Sequence, residues 1–288
     1  MIYLVLSILI NTLLFVIFKY FSQFKVNNLQ AIVVNYFVAF SVGYFFEADR
    51  LAIKAITGAA WFPGTLFLGI LFVTLFNILA LTAQKGGLSV VSIASKMSLV
   101  IPVIFAFLVY GDKITLLKIG GIILALIAVY LVTKKTATPS VENKYLYLPV
   151  LLFFGSGLLD TVLKYIETQY VAEGETIAYS AAIFLIAGIT GIVFLGIQSV
   201  TTKVHFESKS LIAGIILGVP NFFSIYFLLK ALKMEGLESS YIFPVNNVGI
   251  VLVSTLTGVL IFKEHLTSIN RIGILAAISA IILMSIEI

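Results

Sequence analysis

Ten stretches of this chain run for about twenty residues with scarcely a charge, and that pattern leaves few folds open. A bilayer's hydrocarbon core is crossed by about 20 apolar residues in helical form. The stretches lie at 2–24, 29–46, 63–84, 88–110, 115–133, 146–166, 176–199, 210–232, 237–262 and 268–286. In lipid each must satisfy its own N–H and C=O groups, which a helix does. The composition agrees: 61% of the 288 residues are hydrophobic and 11% charged, with a mean hydropathy of +1.15. An all-α membrane protein of ten transmembrane helices is therefore expected.

Little chain is left over for anything else. The longest polar piece, "KKTATPSVENK" at 134–144, reads as a linker, and 47–62, with the lone Trp61, reads as an interfacial segment at headgroup depth. The amino-terminal "MIYLVLSILINTLLFVIF" lacks a basic leader and a small-residue cleavage site, so it is expected to be a retained helix. The net charge of +5 is scattered over loops with no basic stripe, which argues against a nucleic-acid partner. Cysteine is absent, so no thiolate metal site is expected, and no cofactor.

The chain also repeats itself. "GGLSVVSIASKMSLVIPVIFAFLVYGDKITLLKIG" (86–120) and "EGLESSYIFPVNNVGIVLVSTLTGVLIFKEHLTSINRIG" (235–273) share a Gly-Leu start, a proline-bearing helix, and an acidic residue (Asp112, Glu264) ahead of a glycine (Gly120, Gly273). Lys19 and Lys164, Gly87 and Gly236, and Gly120 and Gly273 are offset by 145, 149 and 153 positions, each near half the chain. Two five-helix repeats are expected, at 1–134 and 146–288, joined by the linker at 135–145. Five is odd, so the second repeat enters the membrane from the opposite side, giving inverted halves and a central site between them.

With its duplicated five-plus-five layout and the turns "VYGDKIT" and "IFKEHLT", the chain resembles the drug/metabolite transporter superfamily, EamA type. The resemblance covers essentially the whole chain. It implies a secondary carrier exporting amino acids or related metabolites, in the bacterial inner membrane with both termini cytoplasmic. The residues do not settle orientation. An N-inside arrangement puts seven loop Lys and Arg residues inside and ten outside, a bias the other way. Read from their positions alone, Asp112 and Glu264 are helix-start carboxylates, each serving the helix that follows.

Lys96 is the charge that most needs explaining, because a cation at bilayer depth costs about 2.5–3.5 kcal/mol even on permissive scales. With Ser89 and Ser92 it forms a polar stripe that gives way to Leu99 and Val103, as a vestibule ending at a site would. The equivalent helix puts Asn246 and Asn247 at similar depth. Pro102 and Pro244 withhold donors from the carbonyls of Ser98 and Ser240, and Pro220 from that of Ile216.

Asn11, Asp160, Asn35, Tyr179, Asn77, Asn221 and Ser224 add polarity in other helices. Substrate contact is assigned to Lys96, Asn246, Asn247, Asn77, Asn221 and Tyr179, and an ion pair or proton coupling to Lys96 with Asp160. The competing readings are interhelical glue for the asparagines, a structural Lys96–Asp160 pair, and an Asp160–Lys164 pair one turn apart. Glycines 43, 69, 188, 218 and 249 allow close helix approach.

An ammonium among serines and asparagines favours an anionic or zwitterionic solute, with proton or counter-solute coupling as an added role. Aromatic richness is the argument for lipophilic cations instead. An enzyme is disfavoured: both histidines, His205 and His265, lie at loops, and H-E-x-x-H, G-x-S-x-G and P-loop signatures are missing. A channel or a membrane scaffold is the remaining rival.

Overall fold

The computed structural model describes residues 1–46, 53–86, 94–133, 145–201, 207–263 and 266–285. Among these there are helices and no strands: α1 (Ile2–Gln23), α2 (Asn28–Phe46), α3 (Ile53–Gly58), α4 (Phe62–Gly86), α5 (Ala94–Tyr110), α6 (Leu116–Thr133), α7 (Tyr147–Tyr170), α8 (Thr176–Thr201), α9 (Ser208–Leu232), α10 (Ser239–Phe262) and α11 (Ser268–Ser285). Six of them, α2, α4, α7, α8, α9 and α10, are long and apolar enough to cross a membrane, and shorter apolar helices cover the remaining runs. Large apolar side chains such as Phe45, Leu108, Leu116 and Leu260 stand fully outward. Water would not tolerate that surface, and lipid would. The chain is a multi-pass α-helical membrane protein.

Packing divides the chain into two units, each drawing on both halves of the sequence. The first contains residues Met1–Thr74 and Val162–Lys233, the second Leu75–Thr161 and Met234–Ile288. In the first unit α2 lies against α8 and α9, and α1 also packs on α9. Glycines make those approaches close. A Cβ on Gly218 would stand 2.9 Å from the carbonyl oxygen of Asn35 and 2.5 Å from the Cβ of Val38, and one on Gly214 would strike the carbonyl of Ala31. Gly43 meets Ala181 and Gly188 meets the ring of Phe37 in the same way. Tyr36, Phe184 and Phe222 fill the space between these helices.

Because the Gly218 neighbour is backbone and cannot swing aside, Gly218→Ala is expected to destabilise the protein by about 1–3 kcal/mol, the usual cost of overpacking. Thermal unfolding of the purified variant in nanodiscs measures it. A variant as stable as the parent would show that α2 and α9 have slack.

In the second unit α6 and α11 pack along one another, and α10 touches both as well as α5. Gly273 sits on the backbone of Val132, and Gly121 on the Met284 side chain. Both helices start with a threonine cap: the N–H of Lys118 donates to Thr115 Oγ1 at 3.2 Å, and that of Asn270 to Thr267 Oγ1 at 3.2 Å. Asn270 does more, its Nδ2 donating to the carbonyls of Leu131 (3.1 Å) and Val132 (2.9 Å). An amide there satisfies the end of α6 that the helix itself leaves open.

Packing gives one residue a partner and changes the expectation for another. Trp61 is buried within the first unit: it is 2% exposed, its Nε1 donates to Glu175 Oε2 at 3.1 Å, and its ring meets Tyr179 edge-on. A bulky indole with a satisfied N–H is stable in a core. Asp112 does cap a helix, but not the one that follows it; its Oδ2 accepts the N–H of Ser240 at 2.8 Å, at the start of α10. Glu264, the linker, Ser89, Ser92, Gly87 and both histidines lie outside the described residues.

Candidate functional site

α5 is built of unlike pieces. Ala94–Met97 is helical, Ser98 and Leu99 form a turn, Val100–Phe105 is α-helical again, and Ala106–Tyr110 is a π-helical turn closed by Gly111 in the left-handed region (φ 71°). The Ser98 carbonyl, expected to be freed by Pro102, is not free. The N–H of Ile101 donates to it at 2.9 Å, three residues on, and that of Leu99 reaches the Lys96 carbonyl at 3.4 Å. Proline removes one donor, and the backbone tightens so that a nearer N–H replaces it.

Lys96 stands immediately before this tight turn. Its Nζ donates to Asn247 Oδ1 at 3.2 Å, and the Nδ2 of Asn247 donates to the Phe243 carbonyl at 3.1 Å, one turn back on α10. That second bond fixes which way the amide points, so its oxygen faces the ammonium. Asp160, on α7, is electrostatically coupled to Lys96. Asn247 is 7% exposed, Asn246 is also buried, and Asn77 on α4 is half-buried. Ile101 sits in a notch made by Gly157, whose missing side chain leaves room for it.

Two other sequence-derived residues belong to the first unit and have partners there. Asn221 Nδ2 donates to Asn35 Oδ1 at 3.1 Å, joining α9 to α2. Tyr179 is fully buried and its hydroxyl donates to the Leu163 carbonyl at 3.1 Å. Both are placed as interhelical ties. α10 runs unbroken through Pro244 and α9 through Pro220, unlike α5.

The structure adds two charge clusters that the spacing of residues did not bring together. In the first unit the carboxylate of Glu167, fully buried, is 3.0 Å from Lys164 Nζ and 3.3 Å from Lys233 Nζ. Lys164 also donates to the Leu232 carbonyl at 2.9 Å and Lys233 to that of Val171 at 3.3 Å. Lys164 thus pairs with the acid three residues after it, not with Asp160 four before. The i, i+3 spacing in "LKYIETQY" was the available signal.

In the second unit Lys118, buried in the first turn of α6, forms an ion pair with Glu238 and donates to the Lys113 carbonyl at 3.2 Å. A cation opening a helix is opposed by the dipole, which was a hint that it had a partner.

Glu238 lies just ahead of α10. Partial burial pushes its carboxyl up, but the hydrogen bond and charge of Lys118, with help from the Lys113 backbone and the Ser240 hydroxyl, bring it below the ordinary 4.5. A carboxyl lowered in the folded state stabilises that state above its ordinary range, and the benefit disappears as pH falls through the lowered value. The stability difference between the parent and Glu238→Gln is therefore expected to shrink as the pH is lowered through the ordinary carboxylate range and below it. Unfolding curves across that range check it; a difference independent of pH would mean the pair contributes nothing through charge.

No protein-family model matches the chain. It is 30% identical over 284 residues to an uncharacterized protein of Haemophilus influenzae, across 96% of this chain and 95% of that one. A protein of known crystal structure has a similar fold over 99% of this chain and 96% of its own, with a TM-score of 0.72 at 10% sequence identity.

Proposed function

The chain belongs to the family of that Haemophilus influenzae protein, and for it we propose a secondary active carrier of small anionic or zwitterionic metabolites, in which Lys96 anchors the solute. One observation carries the reading: a half-buried ammonium, at a break in an apolar helix, is held by an oriented amide on a second helix. Cations in apolar helices face protein or a water-filled cavity and mark solute and ion paths in membrane proteins. Broken helices in carriers expose backbone and charge to a bound solute.

In this reading the solute's carboxylate or phosphate takes the place of the Asn247 oxygen on Lys96. Asn246, Asn247 and Asn77 offer hydrogen bonds, and Asp160 supplies a second charge through which a proton or counter-solute is exchanged. The two five-helix halves are inverted repeats of the EamA type, and alternation between their conformations exposes the site to each side in turn. The duplicated turns support it: Gly111 and Lys263, equivalent in the repeat, both adopt the left-handed conformation with the N–H bonded to a carbonyl five residues back. The bacterial inner membrane, with cytoplasmic termini, is the proposed location.

Flux into proteoliposomes tests this. A panel of amino acids, organic acids, phosphorylated sugars and lipophilic cations is first screened by thermal shift. A solute at a hundredfold excess over Kd stabilises the folded state by about 2.7 kcal/mol. The stabilising solute is then expected to show saturable uptake that accelerates when the same solute is loaded on the far side. Uptake that rises linearly and shows no such acceleration would make the protein a channel. Stabilisation by lipophilic cations alone would move the anchor from Lys96 to an acid.

A further inference from the structure

We infer that α5 is a register switch: the residue stored in its π-helical turn can be released, rotating residues 94–105 and carrying Lys96 off Asn247. The inference depends on the carrier reading for its purpose, though not for its test.

Four observations converge. A π turn holds one residue more than an α turn, and such turns are frequent at functional sites. This one, Ala106–Tyr110, includes Leu108 and Val109, which are 79% and 46% exposed, so the outer face of the turn is unpacked, while Ala106 anchors its inner end.

The chain beyond it is pinned. Asp112 accepts the Ser240 N–H, and Lys118 grips both the Lys113 carbonyl and Glu238, so residues 112–118 are stitched to the start of α10. A register change in the π turn is therefore passed toward Lys96. Upstream, the tight turn at Ser98–Leu99 is hydrogen-bonded on both sides, Ile101 N–H to the Ser98 carbonyl and Leu99 N–H to that of Lys96, so the rotation is transmitted to Lys96. The equivalent helix, α10, is a continuous 24-residue helix that presents Asn247 from a fixed frame.

Relaxing the π turn to α geometry moves the upstream segment by one residue, a rotation of about 100° and a rise of about 1.5 Å. Ile101 leaves the Gly157 notch and Lys96 leaves the Asn247 oxygen in the same step. The hydrogen bonds of the π turn are exchanged for α-helical ones, so no backbone donor is left open. Two discrete registers result, with no continuum between them.

The chain has no native cysteine, which makes the measurement direct. Ile104→Cys on α5 and Ile123→Cys on α6, both exposed, carry spin labels in the full-length protein in nanodiscs. Pulsed dipolar spectroscopy reads the distance between them. A one-residue shift moves the Ile104 backbone by about 4 Å.

The expected result is two distance populations, with Asn247→Ala enriching the one that is minor in the parent. Deleting Leu108 removes the stored residue and is expected to leave a single population. One identical distance in the parent and in Asn247→Ala overturns the switch, and this comparison decides the matter even if the deletion does not fold. Two populations in a protein that moves no solute would discard the carrier reading and keep the switch. Saturable, accelerated flux with a single distance would do the reverse.

Discussion

Glu167→Gln is expected to destabilise the folded protein by about 3–5 kcal/mol, the range seen when one partner of a buried ion pair is removed. The carboxylate is fully buried, with Lys164 beside it almost as deep and Lys233 partly exposed. Without the acid, the Lys164 ammonium keeps only its bond to the Leu232 carbonyl among those described. Lys233 can reach outward along its stem; Lys164 has less freedom to do so.

Chemical unfolding in detergent gives the number. A companion variant separates charge from shape: Lys164→Met with Glu167→Leu removes both buried charges and is expected to recover most of the loss, since apolar pairs of similar volume replace buried ion pairs at small cost. A loss below about 1 kcal/mol in Glu167→Gln would mean the cluster is more hydrated than its burial implies.

Lys96→Ala is expected to lower solute flux by about thirtyfold to several thousandfold. Truncating one member of a hydrogen-bonded charged contact costs about 2–5 kcal/mol, and each 1.4 kcal/mol is tenfold. The variant also leaves Asp160 without its counter-charge, so flux is compared with the double variant Lys96→Ala, Asp160→Asn. If Lys96 holds the solute, neutralising Asp160 restores nothing. Recovery of flux in the double variant would show that Lys96 serves only to balance Asp160, and the solute site would have to be sought around the asparagines.

The helices were readable because lipid imposes one rule on every residue of a span: apolar outside, backbone satisfied within. Lys96 stood out for the same reason, as a charge where the rule forbids one. Asn247 was readable at one remove, through the similarity of the two proline-bearing segments, and it is Asn247 that meets Lys96. The Ser98 carbonyl was not, because a proline in a sequence shows which N–H is missing but not which neighbour takes its place.

Asp112 misled for a related reason. Its nearest helix start is α6, yet the N–H it accepts belongs to Ser240, 128 positions later. Only packing showed that Trp61 and Tyr179, far apart in the chain, share one core as an indole and a phenol in edge contact. Distances along the chain carry no information about which helix ends meet.

The interleaving of the two packed units has a consequence for how the protein is made. The contact of α2 lined by Gly214 and Gly218 is with α9, which begins more than 160 residues after α2 ends. At about 5–20 residues per second, α2 leaves the ribosome roughly 8–30 s before its partner exists. α6 waits in the same way for α11. Early helices must therefore reside in the bilayer alone, with their narrow contact faces turned to lipid, until the last third of the chain has been synthesised. A chain truncated before Lys233 would lack a complete copy of either unit, so termination that early yields inserted helices without a folded unit.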